Sequence, residues 1–152
     1  NTNLIGIKEQ IDKISRFKLR GPGSIGVPTL TSYVNRYYII VNNHNKQIFV
    51  EKCDFVSAFG WGNGGHEARL KLGLPGGGPK YCISPLAVMD FEEETKAMRI
   101  LSVHPGVSIN EVIAKTQFDL IIPENIPETK QPTAEELYLI RNKIDLKQIL
   151  RK

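Results

Sequence analysis

The sequence predicts an α/β fold, and three observations carry the prediction. A strand-like phrase, a glycine loop, a helix-compatible stretch and a buried-type strand follow one another between Leu4 and Val41. Two β-rich apolar runs flank a charged tip within residues 86–103. Two helix-opening capping boxes follow, Ser108-Ile109-Asn110-Glu111 and Thr133-Ala134-Glu135-Glu136. An interleaving of strands and helices builds a layered α/β body rather than a sandwich.

Leu4-Ile5-Gly6-Ile7 reads as a strand, and a strand that begins this early needs neighbours, so the chain reads as the later part of a longer protein. After the loop Gly21–Pro28, Thr29 or Thr31 is the expected cap of a short helix. Tyr37-Tyr38-Ile39-Ile40-Val41 is continuously apolar, which suits a strand covered on both faces. Asn42-Asn43-His44-Asn45 is turn chemistry, and Ile48-Phe49-Val50 is a further short strand. Two glycine clusters, Gly60–Gly65 and Pro75–Pro79, bracket a helix-compatible stretch at Glu67–Leu72. Tyr81–Ile83 is strand-like, and Ala87–Phe91, the polar turn Glu92–Lys96 and Met98–Val103 form a hairpin. Ser108 caps a helix over Ile109–Thr116, with Glu111 reaching back. Phe118–Ile122 is one more strand, stopped by Pro123. The segment with Pro123, Pro127 and Pro132 is extended. The last helix places Leu137, Ile140 and Ile144 on one face, to pack back on the body.

Composition sets the outer limits. The chain has 152 residues, 41% of them hydrophobic and 24% charged, which excludes collagen, coiled coil and wholesale disorder. A single domain over 1–152 is expected. No apolar run approaches the ~20 residues of a membrane helix. Cys53 and Cys82 lack a CxxC and sit in strand-like surroundings, as thiols of a reducing compartment such as the cytoplasm do. Charge is uneven: residues 1–52 hold eight Lys/Arg against three Asp/Glu, and the remainder twelve against thirteen. The basic excess gathers at Lys13, Arg16, Lys18 and Arg20, just before the glycine loop, where it attracts an anion such as phosphate. A pI near 9.1 alone is a weak case for nucleic-acid binding, since no recognition motif accompanies it.

Few residues carry an explicit chemical signature. His44, His66 and His104 have no metal-ligand spacing. His104 reads as a turn histidine, and no nucleophile elbow accompanies it. Gly23-Ser24-Ile25-Gly26 is neither a dinucleotide fingerprint nor a phosphate-binding P-loop. Small residues there still let backbone amides approach a ligand closely, and two amides aimed at one point form an oxyanion hole.

Several phrases, in order and spacing, give the chain a resemblance. They are Arg20–Gly26, Phe49–Phe55, Leu74–Pro79, Leu86–Phe91, Leu101–Val107 and Pro127-Glu128-Thr129. Together they resemble the later half of a family I coenzyme A transferase β subunit of the glutaconate type. The resemblance implies a three-layer α/β/α fold with a mixed sheet, pairing with an α subunit in a hetero-oligomer, and CoA or acyl-CoA as substrate with no tightly bound cofactor. It implies that a glutamate carboxylate attacks an acyl-CoA thioester and that CoA passes through a glutamyl thioester to an acceptor acid. The family's oxyanion loop, GxGG(A/F), falls on Gly23, Ser24, Ile25, Gly26 and Val27. Ile25 stands in place of a glycine and disfavours positive φ, and Val27 replaces Ala or Phe.

The resemblance places the nucleophilic glutamate upstream of the loop, outside this chain. Glu124-Asn125 imitates its motif from the proline-rich segment, and Glu51 and Glu67 read as surface or ion-paired carboxylates. Arg16, Lys18 and Arg20 become candidates for the CoA phosphates, and Gly76, Gly77 and Gly78 for the pantetheine or the partner subunit. Thr31-Ser32-Tyr33 is similar to a branch of the superfamily that hydrolyses ring-opened CoA thioesters, which is the alternative activity. A non-catalytic scaffold completing an α subunit's pocket is the other alternative.

Overall fold

The computed structural model describes residues 26–53, 56–75 and 77–149. The expected strand at Leu4–Ile7 and the basic run Lys13–Arg20 lie outside them.

Four strands form one sheet in the order β1 (Tyr37–Ile40), β2 (Pro79–Ile83), β3 (Ala87–Phe91), β4 (Met98–Val103). β1 runs parallel to β2, and the other two pairings are antiparallel. The sheet is therefore mixed and the fold is α/β, as the sequence predicts. Register explains the core. Ile39 pairs with Cys82, Cys82 with Met89, and Met89 with Ile100, which makes one apolar row across all four strands. Met89 and Ile100 are fully buried, each worth about 1.5–3 kcal/mol of transfer free energy. Between Val88 and Met89 the partner on β4 jumps from Ser102 to Ile100, so Leu101 is a bulge residue. The bulge lets Ile100 and Val103, three apart, both enter the core.

α1 (Gly26–Tyr33) precedes β1, and α2 (Ala68–Lys71) precedes β2. α3 (Ile109–Ala114) sends Val112 into the core. Ser108 caps it through the Glu111 amide at 3.1 Å, but Glu111 turns its carboxylate to Lys115 at 2.6 Å instead of reaching back. The capping box at Thr133 is complete and opens α4 (Ala134–Leu139).

Five further expectations need correction. α1 already includes Gly26 and Val27, ahead of both threonines, and Thr31 sits inside it with its hydroxyl donating to Val27 O. Tyr37–Ile40 is not covered on both faces by the described residues, since Tyr38 and Ile40 are exposed. Ile48-Phe49-Val50 is not a strand. Asn45 accepts the Gln47 and Ile48 amides on its side chain and the Ile48 and Phe49 amides on its carbonyl, and this tight turn outcompetes a ladder. Phe118–Ile122 makes only one bridge, Ile121 to Arg99, because Pro123 offers no N–H to continue it. Finally, α4 runs into a single π turn over Ile140–Ile144. The wider winding takes Ile144 off the line of Leu137, and Ile144 is exposed instead of packed on the described body.

Candidate functional site

Gly26 and Val27 are the first described residues of α1 and stand on its N-terminal side. Amides on that side face the positive end of the helix dipole, and no acidic side chain stands beside them in the first turn of the described helix. A β-carbon added to Gly26 would meet nothing within 4 Å, and Val27 is exposed, so this end of α1 is open among the described residues. Gly23, Ser24 and Ile25 lie outside the described residues, as do Arg16, Lys18 and Arg20.

In the Thr31-Ser32-Tyr33 phrase the Thr31 and Ser32 hydroxyls are occupied. Thr31 Oγ1 donates to the carbonyls of Val27 and Pro28, and Ser32 Oγ donates to Pro28 O at 2.8 Å. The opposite end of α1 is held by Arg69, which is 1% exposed. Its guanidinium donates to Thr31 O at 3.1 Å, Ser32 O at 3.3 Å, Gly60 O at 3.1 Å and Pro75 O at 3.3 Å. A cation beside the last carbonyls of a helix complements its negative end.

Of the second glycine turn, Gly76 lies outside the described residues. The Gly77 amide donates to Asn35 O at 2.5 Å, and Gly78 O accepts from Tyr37 N–H at 3.2 Å. The turn thus prolongs the β1–β2 pairing. Gly77 also borders an open cleft of about 420 Å³ that carries Arg36, Lys80, Lys96 and Arg99 together with Asp90 and Glu93. Asp90 and Arg99 face each other across β3 and β4 with contacts of 2.9 and 2.7 Å, and the Lys96 ammonium lies 4.7 Å from the Trp61 ring centre. Sequence reading misses this cleft, because its cations come from separate segments. It misses Arg69 as well, because one arginine in a short helix carries no signal of burial. Gly26 and Val27 do not line this cleft, nor a second one of about 530 Å³ around Gly62–Leu72.

His44 and His104 are structural, while His66 is exposed between Glu67 and Glu94. His104 places Nε2 2.9 Å from Ser84 O and Nδ1 3.0 Å from Thr129 Oγ1, with no carboxylate in either contact. His44 is buried between Ser84 and Thr116. Of the tempting carboxylates, Glu67 is exposed and pairs with Lys71 at 3.2 Å, and Glu51 and Glu124 are exposed.

Comparison with known proteins gives this geometry a context. No protein-family model matches the chain. The β subunit of 3-oxoadipate CoA-transferase from Pseudomonas knackmussii is 34% identical over 141 residues, 93% of this chain and 51% of that protein. The β subunit of glutaconate CoA-transferase from Acidaminococcus fermentans is 36% identical over 131 residues, 84% of this chain and 47% of that protein. The crystal structure of glutaconate coenzyme A-transferase from that organism superposes with a TM-score of 0.77 at 33% identity, over 90% of this chain and 51% of that one. The cholesterol ring-cleaving hydrolase IpdB subunit of Mycobacterium tuberculosis is 31% identical over 140 residues, 88% of this chain and 50% of that protein. The chain spans about half the length of the curated relatives it matches.

Proposed function

Over the stretch it spans, this chain is a homologue of CoA-transferase β subunits, and from that premise we propose that it forms part of a β subunit that moves CoA between an acyl-CoA and a carboxylic acid. An α subunit completes the enzyme, and the nucleophilic glutamate comes from outside this chain. The carboxylate attacks the thioester carbonyl, the tetrahedral oxyanion collapses, and CoA leaves as thiolate from a mixed anhydride. The thiolate then attacks the glutamyl carbonyl and releases the first acid, which leaves a glutamyl-CoA thioester. The acceptor acid runs the same steps in reverse.

In this reading Gly23, Ser24, Gly26 and Val27 supply amides to the oxyanion, and one such donor contributes roughly 2.7–4 kcal/mol. The N-terminal side of α1, open among the described residues and without an acidic side chain, supports that role. Arg16, Lys18 and Arg20 neutralise the CoA phosphates. Gly76, Gly77 and Gly78 are the second contact for CoA, and Gly77 borders a cleft rich in cations. The free thiols Cys53 and Cys82 fit a reducing compartment such as the cytoplasm. Among the described residues no helix is long and apolar enough to cross a membrane.

The observation that carries the proposal is the similarity to two CoA-transferase β subunits, one along 93% of this chain. The test is an assay of the complete complex with acyl-CoA, with and without a free carboxylate acceptor. Acceptor-dependent CoA transfer supports the transferase. A second reading, hydrolysis of a CoA thioester, draws on the similarity to the IpdB subunit and on Thr31-Ser32-Tyr33. Release of CoA without any acceptor would favour it.

A further inference from the structure

We infer that Arg69 is a positioning residue that fixes the placement of α1, and through it the amides of Gly26 and Val27. The inference rests on the proposed function, because it concerns the same oxyanion-binding amides.

The contacts of Arg69 join three separate segments. One nitrogen of its guanidinium reaches the last carbonyls of α1, at Thr31 and Ser32, and also Pro75 in the turn before β2. The other terminal nitrogen reaches Gly60 in the preceding glycine cluster. No carboxylate appears among these acceptors. A buried arginine ordinarily takes a carboxylate partner, since a buried charge without compensation is costly. Here four carbonyls and the negative end of a helix stand in for it. Nε is buried and has no hydrogen-bond partner among the described residues, so the cation is held here at a cost.

Apolar packing among the described residues does little to hold α1: none of its side chains is buried, and Val27, Leu30 and Tyr33 are all exposed. The cation at its C-terminal end thus sets its placement against Gly60 and Pro75. Gly26 and Val27, at the other end of the same rigid rod, inherit that placement. A group that fixes a rod at one end acts on reacting atoms at the other without touching them.

The test uses the complete complex with its partner subunit and compares wild type with Arg69→Lys and Arg69→Met. Lysine keeps the charge but not the planar fork, and methionine keeps the stem alone. Both variants are expected to lower kcat at least tenfold while KM for acyl-CoA stays within about twofold, as displacing catalytic groups by an ångström can cost about 100-fold. Lysine should recover part of what methionine loses. Hydrogen exchange on the same samples should show faster exchange in α1 and unchanged protection in β3 and β4. Wild-type kcat in both variants overturns the inference. So does a loss of rate that scales only with the fraction of folded enzyme, or unchanged exchange in α1. If the wild-type complex transfers no CoA, the functional reading fails instead, and the exchange experiment still decides whether Arg69 holds α1.

Discussion

A β-carbon built on Gly78 would stand 2.8 Å from Cδ of Arg69 and 3.3 Å from the Trp61 ring. Gly78 also has φ of +68°, where a side chain is strained whatever the space. Arg69 cannot retreat, because its guanidinium is anchored to four carbonyls. Gly78→Ala is therefore expected to destabilise the protein by about 2–4 kcal/mol, from overpacking and backbone strain together. Gly77→Ala is the control, since its β-carbon would meet only Asn35 O at 3.5 Å, an ordinary contact. It should stay within about 0.5 kcal/mol of wild type. Urea unfolding of both variants checks the pair.

That contrast shows what a sequence discloses. Ser108 and Thr133 are readable because a cap is local: the acceptor and the amide it serves are three residues apart. β3 and β4 are readable because their apolar runs flank a short charged tip. Phe49 is misread as strand because its β propensity is outweighed by Asn45, four residues earlier, which gathers the turn's amides. Gly77 and Gly78 look alike in sequence, and only the approach of Arg69 separates them. Arg36, Lys80, Lys96 and Arg99 become one cleft only after the sheet pairs.

The Asp90–Arg99 pair spans β3 and β4 at directly opposed positions. Its two contacts make it bidentate, and both side chains keep partial solvent access, 17% for Asp90 and 33% for Arg99. Water therefore screens much of the attraction. A double-mutant cycle with Asp90→Asn and Arg99→Gln should give a coupling of about 0.5–1 kcal/mol, reduced in high salt. A coupling indistinguishable from zero at low salt would mean the pair adds nothing to hairpin stability.

Glu92 closes the hairpin tip. Its carboxylate accepts the amides of Glu94 and Thr95 and the Thr95 hydroxyl, with contacts of 2.7–3.1 Å. Those donors, the Thr95 amide foremost, hold its carboxyl down at about 2. A depressed carboxyl contributes stability that is present above its unfolded value and is lost as pH falls through the folded one. The contribution is accordingly full above pH ~4.5, fades below it, and is gone only beneath about 2. A carboxyl NMR titration should find Glu92 titrating well below the ordinary glutamate range. Glu92→Gln should flatten the acid limb of the stability profile between those limits.

His44 ties the turn after β1 to the body of the fold. Its ring stacks on Phe49 with centres 3.7 Å apart and planes 6° apart. Thr116 Oγ1 donates to Val112 O, so it accepts from His44 Nε2–H at 3.0 Å, and the Ser84 hydroxyl, with Nδ1 at 2.8 Å and Ala87 O at 3.3 Å as acceptors, donates to the nearer Nδ1. This arrangement needs a neutral ring. Burial holds the imidazole below its usual pKa, nearby Lys115 pushes the same way, and Glu111 opposes. With the folded value depressed, the unfolded chain takes up the proton first as pH falls. Stability from the neutral ring is therefore complete above pH ~6.5 and is lost on acidification through the folded value. His44→Phe keeps the stack but forfeits both hydrogen bonds, and should cost about 1–3 kcal/mol at pH 7.5. The gap between wild type and variant should narrow at pH 5, where only wild type bears the cost of protonating a buried ring. Urea midpoints at the two pH values measure both effects, and a gap that widens on acidification would show that the folded ring carries the proton.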